Sequence, residues 1–228
     1  MGQLILVRHG QASFGAADYD VLSETGREQG RALGRWLVQA GVTPTAVIHG
    51  SMRRHRETAE AMLETAGWTD FIAAADPGWD EFDHVGLVSG HPDLADGADH
   101  TAVDRRRFQQ IFEEVTARWT SGEQAGALES YADFVLRVRA SLERATKVCG
   151  KGETVLAVTS GGPIAVVAAS LVDPTCVDDQ AAMARLWARF NTVAVNAAYT
   201  RLVVGSTGAR MLTFNEHPHL SGDLVTYR

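Results

Sequence analysis

The segment LAVTSGGPIAVV, residues 156–167, joins two apolar runs through a short turn that contains Ser160 and two glycines. The first run is typical of a buried strand, and the second is typical of a helix with Pro163 near its first position. A strand that turns directly into a helix indicates an α/β protein. Ser160 is either a nucleophile held at a sharp turn or an N-cap that accepts a backbone hydrogen bond.

Other segments repeat this alternation along the chain. Residues 3–7, TAVIHG (45–50), FIAAAD (71–76) and TVLAVT (154–159) are predicted strands, and a hairpin is predicted to turn through Gly205 to Gly208. Helices are predicted after Ser23, in SMRRHRETAEAMLETAG with its end at Gly67, and in YADFVLRVRASLERATKV. The pattern predicts an α/β three-layer sandwich, with a mostly parallel central sheet flanked by helices.

The length and composition of the chain indicate one domain over residues 1–228. From about residue 85 to 128 the chain becomes polar and irregular, with one amphipathic helix predicted in DRRRFQQIFEEVTARWTSG. This stretch is too short to build much core of its own, so we interpret it as an insertion. Arg105, Arg106 and Arg107 lie in it and are expected to be mostly solvated.

The net charge of −7 argues against nucleic-acid and membrane partners, and only Lys147 and Lys151 among the 21 basic residues are lysines. Cys149 and Cys176 are too few for a disulfide framework or a zinc site. The apolar run Leu4 to Val7 is too short for a signal peptide, and no run approaches a membrane span. We expect a cytoplasmic protein, and its oligomeric state cannot be read from the sequence.

Polar groups follow three of the predicted strands: RHG after Val7, HGSMRRHRETA after Ile48 and TSGG after Val158. Ligands of open parallel sheets bind beyond the carboxyl ends of the strands, so these groups are expected to meet in one pocket. In RHG, Gly10 lets a carbonyl approach one ring nitrogen of His9 and leaves the other nitrogen its lone pair. Arg8 offers a forked donor to a phosphate or carboxylate. A structural role for the histidine remains the alternative.

Arg53, Arg54, His55 and Arg56 open a predicted helix. Cations in a first turn oppose the positive end of the helix dipole, and a bound anion relieves that opposition. This pattern favours an anion-binding role for at least one of these arginines over a merely solvated basic run.

Glu81 lies between Trp79 and Phe82 in DPGWDEFDH. Apolar neighbours raise the pKa of a carboxyl, which would suit a general acid, although an acidic surface loop is the simpler interpretation of this segment alone. A metal site built from Asp83, His84 and His91 is a weaker alternative, because the spacing matches no strong ligand signature.

Taken together, these segments resemble the histidine phosphatase superfamily, which has the phosphoglycerate-mutase-like fold. The match runs from Leu6-Val7-Arg8-His9-Gly10-Gln11 and LSETGREQG through Arg54, Thr58, Ala59, Glu81 and TSGGPI to Asn196 and HPHL. The resemblance implies a phosphatase that hydrolyses phosphomonoesters through a phosphohistidine on His9, with Glu81 as the acid and base. It also implies that Arg8, Arg54, Ser160 and Gly161 bind the phosphoryl group, that Asn196 lies in the C-terminal wall, and that no metal or cofactor is used. The partner is then a small phosphorylated substrate, and the insertion at about 85–128 is expected to cover the active site.

The sequence also departs from the family pattern. Ser160 stands where most members have a second histidine, and Ala12 and Gly15 stand where threonine and asparagine are common. Serine brings no positive charge, and the loss of one preorganised donor costs roughly 10²-fold to 10³-fold in other enzymes, so reduced activity is expected. The main alternative is a weak or inactive phosphate-binding or regulatory module. A phosphoglycerate-type mutase and a serine hydrolase, using Ser160 with Asp173 or Asp178 and His217 or His219, are further alternatives.

Overall fold

Six strands form one mixed sheet in the computed structural model, which describes residues 1–13, 20–94, 105–123 and 128–227. The strand order is β3-β2-β4-β1-β5-β6. The first four strands are parallel, whereas β5 runs antiparallel to β1 and β6 antiparallel to β5. The strands are β1 (Gly2–Arg8), β2 (Ala46–His49), β3 (Ala74–Ala75), β4 (Thr154–Thr159), β5 (Tyr199–Gly205) and β6 (Gly208–Glu216).

Seven α-helices connect and cover these strands in the described part of the chain. They are α1 (Glu24–Gln39), α2 (Arg53–Ala66), α3 (His84–Ser89), α4 (Arg105–Ser121), α5 (Tyr131–Val148), α6 (Gly161–Val172) and α7 (Gln180–Val193). Ser23 caps α1 as predicted, because its side chain accepts a hydrogen bond of 3.0 Å from the amide of Gly26.

The sheet is buried on both faces, and alternate residues of each central strand point into different cores. Leu4 and Leu6 of β1 pack with the helices α4 to α7 on one face. Ile5 and Val7 pack with α1 and α2 on the other. Helices therefore cover both sides of the sheet, which confirms the predicted α/β sandwich.

FIAAAD forms a strand only at Ala74–Ala75, so the predicted strand is much shorter than expected. Ser160 stands at the N-cap position of α6, but its side chain makes no capping hydrogen bond, so the N-cap interpretation is wrong. Within residues 85–128, α4 confirms the predicted amphipathic helix, and its Trp119 packs in the main core against Phe82. This region thus adds to the main core instead of standing apart from it.

Both cysteines are free and buried. No helix in the described ranges combines the length and the apolar character needed to cross a lipid bilayer.

Candidate active site

The site lies where three neighbouring parallel strands end. β4 lies between β1 and β2, so the loops that follow these strands emerge side by side. The amide of His9 donates to the Thr159 carbonyl at 2.8 Å, and the amide of Gly50 donates to the Val158 carbonyl at 3.0 Å. The sheet thereby brings together the three groups of polar residues that the sequence placed at strand ends.

His9 is 7% exposed, and both of its ring nitrogens have neighbours. Nδ1 lies 2.7 Å from the Gly10 carbonyl, which can only accept, so Nδ1 carries the proton. Nε2 keeps a lone pair and accepts a hydrogen bond of 3.2 Å from Arg54 Nε. Burial, followed by the charges of Arg54 and Arg8, holds the pKa of His9 well below its usual range. The imidazole is therefore neutral, with one nitrogen available for attack.

Arg54 and Arg8 place two guanidinium groups beside this ring. Arg54 is 3% exposed, and its Nη1 donates to Asp20 at 2.8 Å. Nη1 of Arg8 donates to the carbonyls of Ala194 and Tyr227 at the C-terminal wall of the site. Fixed guanidinium groups of this kind suit the oxygens of a phosphoryl group.

The other two arginines of the basic run form ion pairs along their own helix. Arg53 pairs with Glu57 at 2.7 Å and Arg56 with Glu60 at 3.5 Å. Of the three arginines in RRHR, the structure thus places Arg54 in contact with His9.

Thr58 and Asn196 hold the backbone around His9. Thr58 Oγ1 accepts from the amide of Gly10 at 3.0 Å and donates to the Arg54 carbonyl at 2.7 Å. Asn196 is fully buried, and its side-chain amide donates to the His9 carbonyl at 3.3 Å. Ala12 is buried nearby in the chain, whereas Gly15 lies outside the described residues.

Glu81 precedes α3 in the chain, and its side chain lies against the first residues of α6. Its two carboxyl oxygens accept hydrogen bonds from the amides of Gly162 at 3.0 Å and Phe82 at 3.2 Å. Burial raises the pKa of Glu81, although both amides and the charges of Arg54 and Arg8 oppose that rise. A side chain on residue 162 would collide with this carboxyl, since a Cβ there would lie 2.1 Å from Oε1. Gly161 lies beside Arg8, where a Cβ would come within 3.6 Å of the Arg8 Nε atom.

Ser160 contacts a histidine that the sequence analysis did not assign to it. Ser160 is fully buried, and its Oγ atom lies 2.7 Å from His55 Nε2. The histidines suggested as its partners bond elsewhere: His217 Nδ1 to the Asn215 carbonyl and His219 Nε2 to the Ala197 carbonyl. The Asp173 side chain bonds to the amide of Thr175.

Sequence reasoning missed His55 and the nearby Asp80, and it also missed Asp20, which accepts a hydrogen bond from Arg54. A signal for His55 was present: on α2 it stands four and seven residues before the buried Ala59 and Met62, so it begins the apolar face of that helix. Nothing comparable in the sequence indicated that the Asp80 carboxylate lies 3.7 Å from His55 Nδ1.

The proposed metal ligands are engaged separately. Asp83 caps α3 by accepting from the amide of Gly86, and His91 lies 3.5 Å from Glu114. Across the residues that the structure describes, no group of three histidine, cysteine or acidic side chains could hold a metal ion. Arg107 pairs with Asp93 at 2.6 Å, while the side chain of Arg105 lies outside the described part.

The model of the histidine phosphatase superfamily (branch 1) matches residues 4–217 of the chain. The chain belongs to the histidine phosphatase superfamily. The match spans the three strand ends and Glu81, so the sequence identification of the family is confirmed. A search of curated proteins found no match.

Several solved structures share the fold of this chain. YhfR from Bacillus stearothermophilus superposes with a TM-score of 0.69 at 21% identity, covering 95% of this chain and 98% of that one. A mycobacterial glucosyl-3-phosphoglycerate phosphatase superposes with a TM-score of 0.63 at 23% identity, covering 94% and 99%. A phosphoserine phosphatase mutant from Entamoeba histolytica, solved with phosphoserine, gives 0.65 at 16% identity and covers 97% and 100%.

Proposed function

We propose that this histidine phosphatase superfamily member is a phosphatase that hydrolyses small phosphomonoesters through a phosphohistidine on His9. The observation that carries the proposal is the state of His9. Its Nδ1 proton is tied to the Gly10 carbonyl, and its Nε2 lone pair faces the guanidinium of Arg54. An imidazole that is neutral, oriented and flanked by fixed positive charge is suited to attack phosphorus.

In the first step, His9 Nε2 forms a bond to phosphorus as the bond from phosphorus to the ester oxygen breaks. Arg54 exchanges its contact with Nε2 for one with a phosphoryl oxygen, and Arg8, Ser160 and the Gly161 amide complete the anion site. Protonated Glu81 gives its proton to the leaving oxygen, and its raised pKa favours the protonated form.

In the second step, the Glu81 carboxylate takes a proton from water, and the oxygen of that water attacks phosphorus. The bond between phosphorus and Nε2 breaks, which releases inorganic phosphate and returns His9 to its starting state. Two guanidinium groups neutralise the phosphoryl charge in both steps, so the scheme includes no metal and no cofactor.

The experiment compares His9→Ala with His49→Ala as a matched control. His49 is also a buried histidine at a strand end, and its Nδ1 atom lies 2.6 Å from the carbonyl of the glycine that follows it. We expect the wild-type protein and His49→Ala to hydrolyse an aryl phosphate in the presence of EDTA and to form an acid-labile phosphoenzyme. We expect His9→Ala to do neither.

Full activity in His9→Ala would contradict the proposal. Anion-dependent stabilisation without turnover on a panel of phosphorylated metabolites would favour the phosphate-binding module instead. A mutase would transfer the phosphoryl group within a phosphoglycerate, and a serine hydrolase would be labelled at Ser160 by an organophosphonate.

A further inference from the structure

Three side chains contact one another in series, beginning at the proposed phosphoryl site: Ser160, His55 and Asp80. Ser160 Oγ lies 2.7 Å from His55 Nε2, and His55 Nδ1 lies 3.7 Å from Asp80 Oδ1. Asp80 also accepts hydrogen bonds from the hydroxyl of Ser51 and, at 3.3 Å, from the amide of Met52. The reaction steps proposed above give no role to His55 or Asp80.

Packing fixes the His55 ring between Ser160 and Asp80. His55 is fully buried, and its ring centroid lies 5.6 Å from that of His9. The ring and the Asp80 carboxylate meet over Gly50, where a Cβ would lie 2.2 Å from Nδ1 and 2.6 Å from Asp80 Oδ1. Glycine at position 50 is therefore required for this contact.

The surroundings of His55 decide which ring nitrogen carries the proton. Nδ1 is buried without a hydrogen-bond partner among the described residues, and it faces the negative charge of Asp80. A proton on Nδ1 is attracted to that charge, whereas a lone pair there is repelled by it. Nε2 is then an acceptor for the Ser160 hydroxyl. In the free protein the Ser160 hydroxyl therefore donates to His55 Nε2 and has no proton left for another acceptor.

Charged and titratable groups surround His55 on several sides. Arg54 on the same helix and His9 after β1 oppose a positive charge on the ring, whereas Asp80 before Glu81 and Asp20 before α1 favour it. Burial outweighs the acidic groups and lowers the pKa of His55 to about 4. A bound phosphoryl group would change this balance, since it adds negative charge and neutralises Arg54.

We propose that His55 takes up one proton when a phosphoryl group binds at His9, and that this proton lets the Ser160 hydroxyl donate a hydrogen bond to the phosphoryl group. A proton from solvent adds to Nε2, and Nε2–H then donates to Ser160 Oγ. The Ser160 hydroxyl turns and donates its own proton to a phosphoryl oxygen, while Nδ1–H stays directed at Asp80. His55 returns the proton to solvent when phosphate leaves.

His55 is in this scheme a positioning residue, because it acts on the phosphoryl group through Ser160. It brings positive charge next to Ser160, whose own side chain carries none. The inference rests on the proposed phosphoryl site and adds to it a protonation step that the phosphatase reaction itself does not require.

The test uses inorganic phosphate and the His9→Ala protein, in which neither a phosphoenzyme nor protonation of His9 can occur. Imidazole ¹⁵N NMR at pH 7 reports the protonation state of His55 with and without phosphate. Calorimetry in buffers of different ionisation enthalpy counts the protons taken up on binding. His9→Ala/His55→Gln is the variant, and His9→Ala/His91→Gln is the control, because His91 pairs with Glu114 away from these residues.

We expect His55 to change from a neutral ring protonated on Nδ1 to an imidazolium when phosphate binds. The His55→Gln variant should lose this part of the proton uptake and bind phosphate roughly tenfold more weakly or worse, whereas His91→Gln should do neither. A His55 ring that stays neutral with phosphate bound, or proton uptake that His55→Gln leaves unchanged, overturns the inference. In that case phosphatase activity of the wild-type protein would still uphold the proposed function. A protein that neither binds nor hydrolyses phosphate compounds would refute both.

Discussion

At the scale of single residues, the surroundings of an imidazole distinguish His9 from His49. His9 directly follows β1 and His49 is the last residue of β2. Both are buried, and both have Nδ1 next to the carbonyl of the following glycine. The difference is at Nε2, where His9 meets the guanidinium of Arg54. The dipeptide His-Gly therefore fixes a tautomer, and the arginine on α2 distinguishes His9 as the nucleophile of the proposed function.

Arg54 should be far more sensitive to substitution than its neighbour Arg53. Arg54→Lys keeps the charge but loses the planar fork that reaches both His9 and Asp20, so we expect kcat/KM for an aryl phosphate to fall roughly 100-fold or more. Arg53→Lys is the matched control, since Arg53 pairs with Glu57. Equal losses in the two variants would argue against phosphoryl binding by Arg54.

The pH dependence of the reaction should follow from two shifted pKa values. The lowered pKa of His9 keeps the nucleophile unprotonated into acidic solution, and the raised pKa of Glu81 extends its protonated form upwards. We expect kcat for an alkyl phosphate to fall as pH rises through the pKa of Glu81. Glu81→Gln should abolish that fall and slow alkyl phosphates more than aryl phosphates, whose leaving groups need less protonation. An unchanged pH profile in Glu81→Gln would assign the acid to another group.

The sequence predicted several site residues that the fold brings together, because residues at the ends of parallel strands converge in any α/β sheet. His9, Arg54 and Ser160 belong to this set, whereas Glu81 was proposed from its apolar neighbours Trp79 and Phe82. His55 was not assigned a role, since its position depends on how deeply α2 packs and on the absence of a side chain at Gly50. The sequence therefore suggested that the site lacks the imidazole of a second histidine at position 160. In the structure, the imidazole of His55 lies within hydrogen-bond distance of Ser160.

At the scale of elements, the N-terminus of α2 gathers carboxylates in place of a conventional cap. Met52 provides no capping side chain, but Asp20 accepts from the amide of Arg53 at 2.7 Å. Asp80 accepts from the amide of Met52. These negative charges stabilise the positive end of the helix and the cations of its first turn. The sequence predicted an anion at this helix start. In the free protein, the carboxylates of Asp20 and Asp80 supply that negative charge.

The start of α6 should be equally demanding. Gly162→Ala favours the helix by up to about 1 kcal/mol through propensity, but the new Cβ would collide with Glu81. We expect turnover of alkyl phosphates to fall at least tenfold while the free energy of unfolding changes little. Steady-state kinetics and urea unfolding check this, and Ala165→Gly later in α6 serves as a control that weakens the helix without approaching Glu81. Unaltered kinetics in Gly162→Ala would show that Glu81 has room to move.

The sequence predicted best the helices and strands that are long and have a regular hydrophobic period. α1, α2 and α5 have long apolar stripes and were predicted, as was the hairpin of β5 and β6. FIAAAD was overestimated because an apolar composition does not provide a pairing partner: only two residues of it pair with β2. The packing of Trp119 against Phe82 depends on tertiary contacts that periodicity alone does not report.

At the scale of the whole molecule, buried histidines should make stability depend on pH. The pKa values of His55 and His219 are lowered to about 4 in the fold by burial, while the unfolded chain titrates near 6.5. The unfolded state therefore binds more protons, and stability is lost as pH falls from about 6.5 to 4. His55 accounts for ~3 kcal/mol of this loss. Urea unfolding at pH 7 and 4.5 should show a smaller loss in His55→Gln than in wild type or His91→Gln, and equal losses would contradict it.

The strand order also determines when the site can form during synthesis. β1 and β2 do not pair with each other, and β4, which lies between them, begins at Thr154. A nascent chain that stops before this point carries His9 and Arg54 without the strand that sets their spacing. Pairing across so many residues is slow, and it leaves two apolar strands unpaired in the meantime. Phosphate affinity should thus be acquired late in folding, after the interval in which the chain is most exposed to aggregation.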